Sequence, residues 1–335
     1  MSTIKTIVEC VPNFSEGRDK NIIDAIARSI EGVPGVKLLS VEPDADYNRT
    51  VVTFVGEPEG VVEAAFRSTR TASELINMSK HKGEHPRLGA VDVVPFIPVS
   101  GVRMQECVQL ANTYGKWVGE QLGIPIYLYE EAATTPERKN LSNIRKGEYE
   151  GLAKKLTDPA WKPDYGPATF NERSGATVTG ARVFLIAYNV NLSTNDKNIA
   201  QEIAFRIREI GKTVKDAKGN VISRTPGTLK AVKAMGVLLE RHNIAQVSIN
   251  LTNYEVTPPH IAFEEVKKFA GQFGISATGS EVIGLIPKQA MLMAGKYYAT
   301  GMTDERELIR CAIEKLGLSQ LDEFVPERKI IELML

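Results

Sequence analysis

The 335-residue sequence has only three cysteines, Cys10, Cys107 and Cys311, and no Cys-x-x-Cys pair. So sparse and odd a set excludes a disulfide framework and fits a reducing compartment, so a cytoplasmic protein is expected. Net charge is also missing. Lys plus Arg and Asp plus Glu number 41 each, which leaves no basic surface to replace the counterions of a nucleic acid. No apolar run reaches the ~20 residues that a bilayer-spanning helix needs, so no membrane partner is expected. The opening "MSTIKTIVECVPNFSEG" lacks the apolar core and small-residue cleavage site of a secretory leader. Three motifs are absent as well: Gly-x-Ser-x-Gly, the phosphate loop Gly-x-x-x-x-Gly-Lys-Ser/Thr and Gly-x-Gly-x-x-Gly. What remains is a soluble composition, 43% apolar, in a chain long enough for two domains or two packed halves.

The pattern along the chain supports two halves. "TIVECVPNF" reads as a strand, "SEGRDKNIIDAIARSIEG" as a helix capped at Ser15 with Ile22, Ile23, Ile26 and Ile30 on one face, and "VKLLSVEPD" and "RTVVTFVGEP" as strands. "EGVVEAAFRSTRTASELI" is a helix and "AVDVVPFIPV" a strand. This is the split β-α-β-β-α-β, ferredoxin-like order. It recurs loosely from "RVFLIAYNVNLS" through a helix starting near Asn195, two strands in "VLLERHNIAQVSINLTNYEV", the helix "HIAFEEVKKFAGQFG" and the strand "ATGSEVIGLIP". The expected fold class is therefore α/β (α+β), two similar β-α-β-β-α-β halves with their sheets facing each other. The halves are placed at residues 1–181 and 182–335, with an inserted helix and strand over 102–165 that pack outside or line a cleft. The segment "TDERELIRCAIEKLGL" reads as a helix capped by Thr303.

Two stretches carry unusual chemistry. "SKHKGEHPRLGAVDVVPF" holds His81 and His85 at the i, i+4 spacing of a zinc helix. Gly83 and Pro86 break that helix and no third ligand follows, so a metal is not expected. Plain loop hydrogen bonding and proton transfer both remain open; an imidazole beside charged neighbours and titrating near neutrality suits a general base that later acts as an acid. "DYGPATFNERSGATVTGARVF" has three glycines, which allow backbone amides to approach a ligand, or it is a connecting loop. Asn13, Asn48 and Arg49 fall beside strand ends, where sites gather.

The strings "VECVPNFSEG", "NRTVVTFVGEPE", "GEHPRLGAVDVVPFIPV", "YLYEEAA" and "GATVTGARVFLIAYNVNL", in this order, resemble the glutamate formimidoyltransferase family from Val8 to about Pro287. The chain looks like the stand-alone bacterial form, without the cyclodeaminase fused to it in animals. The resemblance implies transfer of the formimidoyl group of N-formimidoyl-L-glutamate to the 5-nitrogen of tetrahydrofolate, with release of L-glutamate, in histidine degradation. It implies a homodimer, no metal, and folate held in a groove between the halves. The family's catalytic histidine carries over to His85. Its folate-binding loop carries over to Gly166, Pro167, Ala168, Thr169, Phe170, Asn171, Glu172, Arg173, Ser174 and Gly175, although "NERSG" departs from the animal loop. Asn13, Asn48, Arg49, Lys82 and Arg182 are the candidate substrate-binding residues, and Arg173 is a further candidate for a carboxylate. Valine at Gly166 or Gly175 is expected to remove folate binding and leave the free protein's stability unchanged. Two other functions fit the same residues: formyl transfer from 5-formyltetrahydrofolate to glutamate, and folate binding without turnover.

Overall fold

The computed structural model describes residues 6–216 and 220–334. The chain divides into two compact units, residues 1–183 and 184–335.

In the first unit, β1 (Ile7–Cys10) and β2 (Asn13–Phe14) precede α1 (Lys20–Glu31), β3 (Val36–Asp44), β4 (Arg49–Gly56), α2 (Pro58–Leu75) and β5 (Val91–Ser100). There follow α3 (Met104–Leu122), β6 (Ile126–Glu130), α4 (Leu141–Arg145), α5 (Glu148–Lys155) and β7 (Thr177–Ala181). β1 and β2 are two pieces of one strand interrupted at Val11 and Pro12; both pieces pair antiparallel with β4 on one side and β5 on the other. Proline has no N–H to give to a ladder, so the strand breaks there. The sheet runs β3-β4-β1/β2-β5-β7-β6. Its first four members are the antiparallel split β-α-β-β-α-β arrangement, and β7 and β6 extend it in parallel.

α1, α2 and α3 cover one face. Phe14, Ile26, Ile30, Phe54, Phe96 and Tyr114 are fully buried there. A second cluster of Leu88, Tyr127, Tyr129, Ile144, Leu152 and Val178 draws on α4 and α5. Ile126 and Leu128 go to the first cluster and Tyr127 and Tyr129 to the second, as the period of two requires.

The second unit contains β8 (Ile186–Leu192), α6 (Lys197–Ile207), a hairpin of β9 (Lys212–Lys215) and β10 (Val221–Thr225), β11 (Val232–Leu239), β12 (Ile244–Leu251), α7 (Pro259–Gln272) and β13 (Ala277–Ile283). α8 (Lys288–Tyr298), α9 (Glu305–Leu316) and α10 (Pro326–Lys329) close it. Its antiparallel sheet runs β11-β12-β8-β13. That is the second-third-first-fourth order of the first unit, so the duplicated α/β plan read from the sequence is present in the strand topology.

Local details differ. The cap of α1 is Asp19, whose carboxylate accepts from the Asn21 N–H. Ser15 is buried and donates instead to the Gly89 carbonyl at 2.7 Å. Asp304, not Thr303, caps α9. α6 starts beside Asn195, with Asp196 as its cap. Residues 177–181, read as loop, form β7 between β5 and β6, with all five residues buried. A strand buried on both faces has no alternation to betray it, and its threonines bond to the Val91 and Val94 carbonyls. The inserted segment belongs to the sheet layer, because α3 buries Ala111, Tyr114 and Val118 in the main core and β6 closes the edge. The β9–β10 hairpin and α8 had no counterpart in the sequence pattern.

Tyr114 ties α3 to α2. Its hydroxyl lies 2.7 Å from the Thr69 hydroxyl, which bonds to the Ala65 carbonyl. Tyr114→Phe should cost about 1 kcal/mol, one net hydrogen bond, and Tyr114→Ala about 3–5 kcal/mol through the cavity left by a buried ring. Urea unfolding of both variants checks this; near-equal losses would mean that the hydroxyl pair, not the packing, holds the helices.

Candidate active site

Three segments of the first unit converge where β2 and β4 meet the loop before β5. The first contributes Asn13 and the turn after it, the second residues 44–49, and the third residues 81–92. Asn48 occupies the turn with φ 48°, a left-handed conformation that asparagine tolerates better than most residues. Its side chain accepts from the Gly17 N–H and donates to the Lys82 carbonyl, so one amide fastens all three segments. Arg49 donates to Asn13 Oδ1 at 3.2 Å. The backbone N–H of His85 lies 3.4 Å from the Tyr47 carbonyl, and the Tyr47 and His85 rings meet edge to face.

The two histidines are held differently. His81 Nε2 lies 3.0 Å from the Asn48 carbonyl, and Arg87 Nε donates to His81 Nδ1 at 3.3 Å. An acceptor at one nitrogen and a donor at the other fix the neutral Nε2–H tautomer. Burial lowers the His81 pKa. His85 is half-buried, and its Nδ1 is buried without a hydrogen-bond partner. Burial, opposed by Asp92 and assisted by Arg145, Arg49 and Arg87, pushes its pKa down to about 4. The sequence suggested titration near neutrality; desolvation and three guanidinium groups, which disfavour the imidazolium, account for the difference. At neutral pH His85 is an uncharged imidazole, the form that can accept a proton.

Behind it, buried Asp92 pairs with Arg145 and accepts from the Leu88 N–H at 3.0 Å. Arg87, 5% exposed, pairs with Glu148 and Glu150. Arg87, Glu148, Glu150, His81, Lys82 and two glycines line an open polar cavity of about 440 Å³. His85 is not among its lining residues.

The loop from Gly166 to Gly175 is pinned at both ends. Gly166 and Gly175 have φ of 76° and 66°. A Cβ at Gly166 would lie 2.4 Å from the Ile124 carbonyl oxygen, and one at Gly175 would lie 2.1 Å from that of Leu88. Residues Gly166 to Phe170, with Glu172 and Arg173, are exposed. Asn171 closes the turn, accepting from the Gly175 N–H through its backbone and from the Ser174 N–H through its side chain. The Tyr149 hydroxyl donates to the Glu172 carbonyl and its ring packs on Phe170. Tyr149 also gives its N–H to the Arg87 carbonyl, which connects this loop to the histidine segment. Arg173 is engaged elsewhere: it donates to the Ser73 and Glu74 carbonyls at the end of α2, where a cation complements the helix dipole. Arg182 follows the opposite end of β7, roughly 16 Å along the strand at ~3.3 Å per residue, and donates to the Val183 carbonyl.

Of the candidate residues, Asn13, Asn48, Arg49, Lys82 and His85 come together, the glycine loop joins their segment through Tyr149 and through the backbone bond from Ala90 to Ser174, and Arg182 stands apart. Arg87 and Asp92 stood in the sequence only as charged neighbours of the two histidines, with no role of their own, and Arg145, Glu148 and Glu150 were not singled out; the signal of these three was charge in a segment read as packing outside or lining a cleft. Among the described residues no three His, Cys, Asp or Glu side chains cluster as metal ligands.

A split β-α-β-β-α-β unit with a neutral histidine among guanidinium groups defines a class of α/β protein able to move protons beside anionic ligands. Family models narrow it. The formiminotransferase domain, N-terminal subdomain, matches residues 7–182, and the formiminotransferase domain matches residues 187–335. The chain is 49% identical to a formimidoyltransferase-cyclodeaminase of Dictyostelium discoideum, over 98% of its own length and 60% of the relative's. It is 44% identical to glutamate formimidoyltransferases of Streptococcus pyogenes serotype M1 and Thermoplasma acidophilum, covering 87% and 92% of this chain and 93% and 98% of theirs. The chain belongs to the formiminotransferase family. It spans about 60% of the length of the formimidoyltransferase-cyclodeaminase of Dictyostelium discoideum.

Two outcomes are expected. Valine at Gly166 or Gly175 should lower the melting temperature of the free protein, contrary to the expectation from sequence, because the new Cβ strikes backbone; unchanged melting would refute the pinned-loop geometry. The second concerns acid. Burial lowers the pKa values of His85 and of His260, on α7, from 6.5 to about 4 in the folded chain. The unfolded chain therefore binds more protons below pH 6.5, and the stability present above that pH is lost as pH falls toward 4. The double variant His85→Asn/His260→Asn should lose less stability across this window in urea unfolding than the natural chain; an equal loss would assign the acid sensitivity to other groups.

Proposed function

We propose that the chain is a glutamate formimidoyltransferase: it transfers the formimidoyl group of N-formimidoyl-L-glutamate to N5 of tetrahydrofolate and releases L-glutamate. The observation that carries the reading is a half-buried, neutral His85 set beside Arg49 and Asn13, in a chain whose relatives at 44% identity bear that name. In this reading N5 attacks the amidine carbon, giving a tetrahedral adduct. His85 takes the proton that N5 loses and returns it to the departing glutamate nitrogen, so a single imidazole serves both steps and no covalent enzyme intermediate is needed. An anionic substrate beside the ring raises its pKa from the low resting value, which favours the imidazolium that the second step requires. Arg49, Lys82, Asn13 and Asn48 are the substrate-binding candidates that lie near His85, and the exposed stretch from Gly166 to Phe170 is the surface offered to folate. Much of the acceleration comes from holding both substrates in one orientation. The proton transfers balance without a metal. Sparse, unpaired cysteines support a cytoplasmic location, and no helix among the described residues is long and apolar enough to cross a membrane. The family resemblance supports a homodimer.

His85→Ala should keep the melting temperature within a few degrees and lower transfer roughly 10²–10⁴-fold, the usual contribution of acid–base catalysis, in an absorbance assay of 5-formimidoyltetrahydrofolate. His81→Ala should cost much less, since both its ring nitrogens are spent on the loop. Wild-type turnover by the His85 variant sinks the assignment, and an equal loss from both variants moves the proton transfer away from His85.

A further inference from the structure

The guanidinium of Arg87 is almost fully buried, yet both carboxylates on it belong to side chains that reach into solvent. Glu148 and Glu150 have 44% and 65% of their side-chain surface exposed. Arg87 NH1 donates to Glu148 Oε2 at 3.1 Å and to Glu150 Oε2 at 2.9 Å, and NH2 donates to Glu150 Oε1 at 2.7 Å. The Glu150 contact is the two-pronged grip that arginine uses for carboxylates. The pair opens onto the polar cavity lined also by His81 and Lys82. Glu148 is held with φ 53°, directly after Gly147 at 91°, and a left-handed non-glycine residue is a strained state that persists where the surroundings impose it.

We propose that Arg87 is a carboxylate-binding subsite occupied at rest by Glu148 and Glu150, and that a small dicarboxylate of the glutamate type enters the cavity by displacing them. A buried guanidinium left unpaired is costly, whereas exchanging one carboxylate for another keeps it paired throughout. The displaced groups move into water that they already touch. The backbone need not travel, because the Tyr149 N–H stays on the Arg87 carbonyl between the two glutamates. Lys82, exposed at the cavity rim, supplies a second positive charge for the ligand's other carboxylate. His81 keeps the guanidinium oriented by accepting from Nε, so its neutral tautomer serves recognition. The choice of a glutamate-type ligand rests on the proposed transfer reaction; the masked subsite itself rests on the geometry.

The test is equilibrium binding without folate. L-glutamate and glutarate are titrated calorimetrically into the natural chain, into Glu148→Gln/Glu150→Gln and into Glu120→Gln/Glu137→Gln, which removes the same charge without touching Arg87. A tethered competitor acts at an effective concentration on the order of millimolar, so unmasking should tighten dicarboxylate binding about tenfold or more, and the reference variant should not change it. Adding Arg87→Lys to the unmasked variant should remove the gain, since lysine has no planar fork. If the double variant melts early, Glu150→Gln alone is read in the same way. Unchanged or weaker binding in a folded unmasked variant overturns the subsite, as does an equal gain in the reference variant. Failure of the transfer assay with the binding gain intact would overturn the proposed reaction and leave the subsite standing.

Discussion

A buried positive charge organises the candidate site. Arg87 cannot sit at 5% exposure without partners, because a desolvated guanidinium forfeits several kcal/mol that only close, well-directed acceptors offset. It finds them in three places: the ring of His81 on its own loop, and Glu148 and Glu150 at the start of α5. Satisfying one side chain therefore draws a remote helix against the histidine loop. Tyr149, carried between the two glutamates, then reaches the Glu172 carbonyl. Tyr149 is thus one tie between the glycine loop and the histidine loop, and its position is set by a charge.

Backbone proximity is the complementary constraint. Gly89 and Gly175 form an isolated antiparallel bridge, and a side chain on either would meet carbonyl oxygens closer than contact allows. The bridge sets where the loop ends and β7 begins, and β7 in turn is the strand that carries the sheet from β5 to β6. The same glycine that invites a ligand-binding reading thus has a structural duty, and the freedom at the loop's exposed middle depends on the rigidity of its ends.

Electrostatics divides two histidines that look alike in sequence. His81 has both nitrogens engaged and serves as a fastening between Arg87 and Asn48. His85, four residues on, keeps a buried nitrogen free and is held neutral by desolvation and nearby guanidinium groups. One imidazole has a fixed tautomer and the other is held neutral with its Nδ1 unpartnered, and the difference lies in which partners the fold delivers to each ring.

The sequence by itself determined the β-α-β-β-α-β order that both halves share, because amphipathic periodicity and the breaks at Pro12, Pro86 and the glycines are local. It also singled out His85 and the loop from Gly166 to Gly175 through motifs that form continuous strings. It did not determine β7, whose five residues are buried on both faces and show no alternation, nor the caps, where Asp19 and Asp304 displaced Ser15 and Thr303 by offering carboxylates at the helix starts. Only the tertiary structure decided the partners of the charges. Arg173 closes a helix end, Arg182 stands apart at the other end of β7, and Arg87 meets glutamates 61 and 63 positions away. Pairing across such separations is set by packing, and a linear pattern of charged residues does not encode which of them the fold will bury.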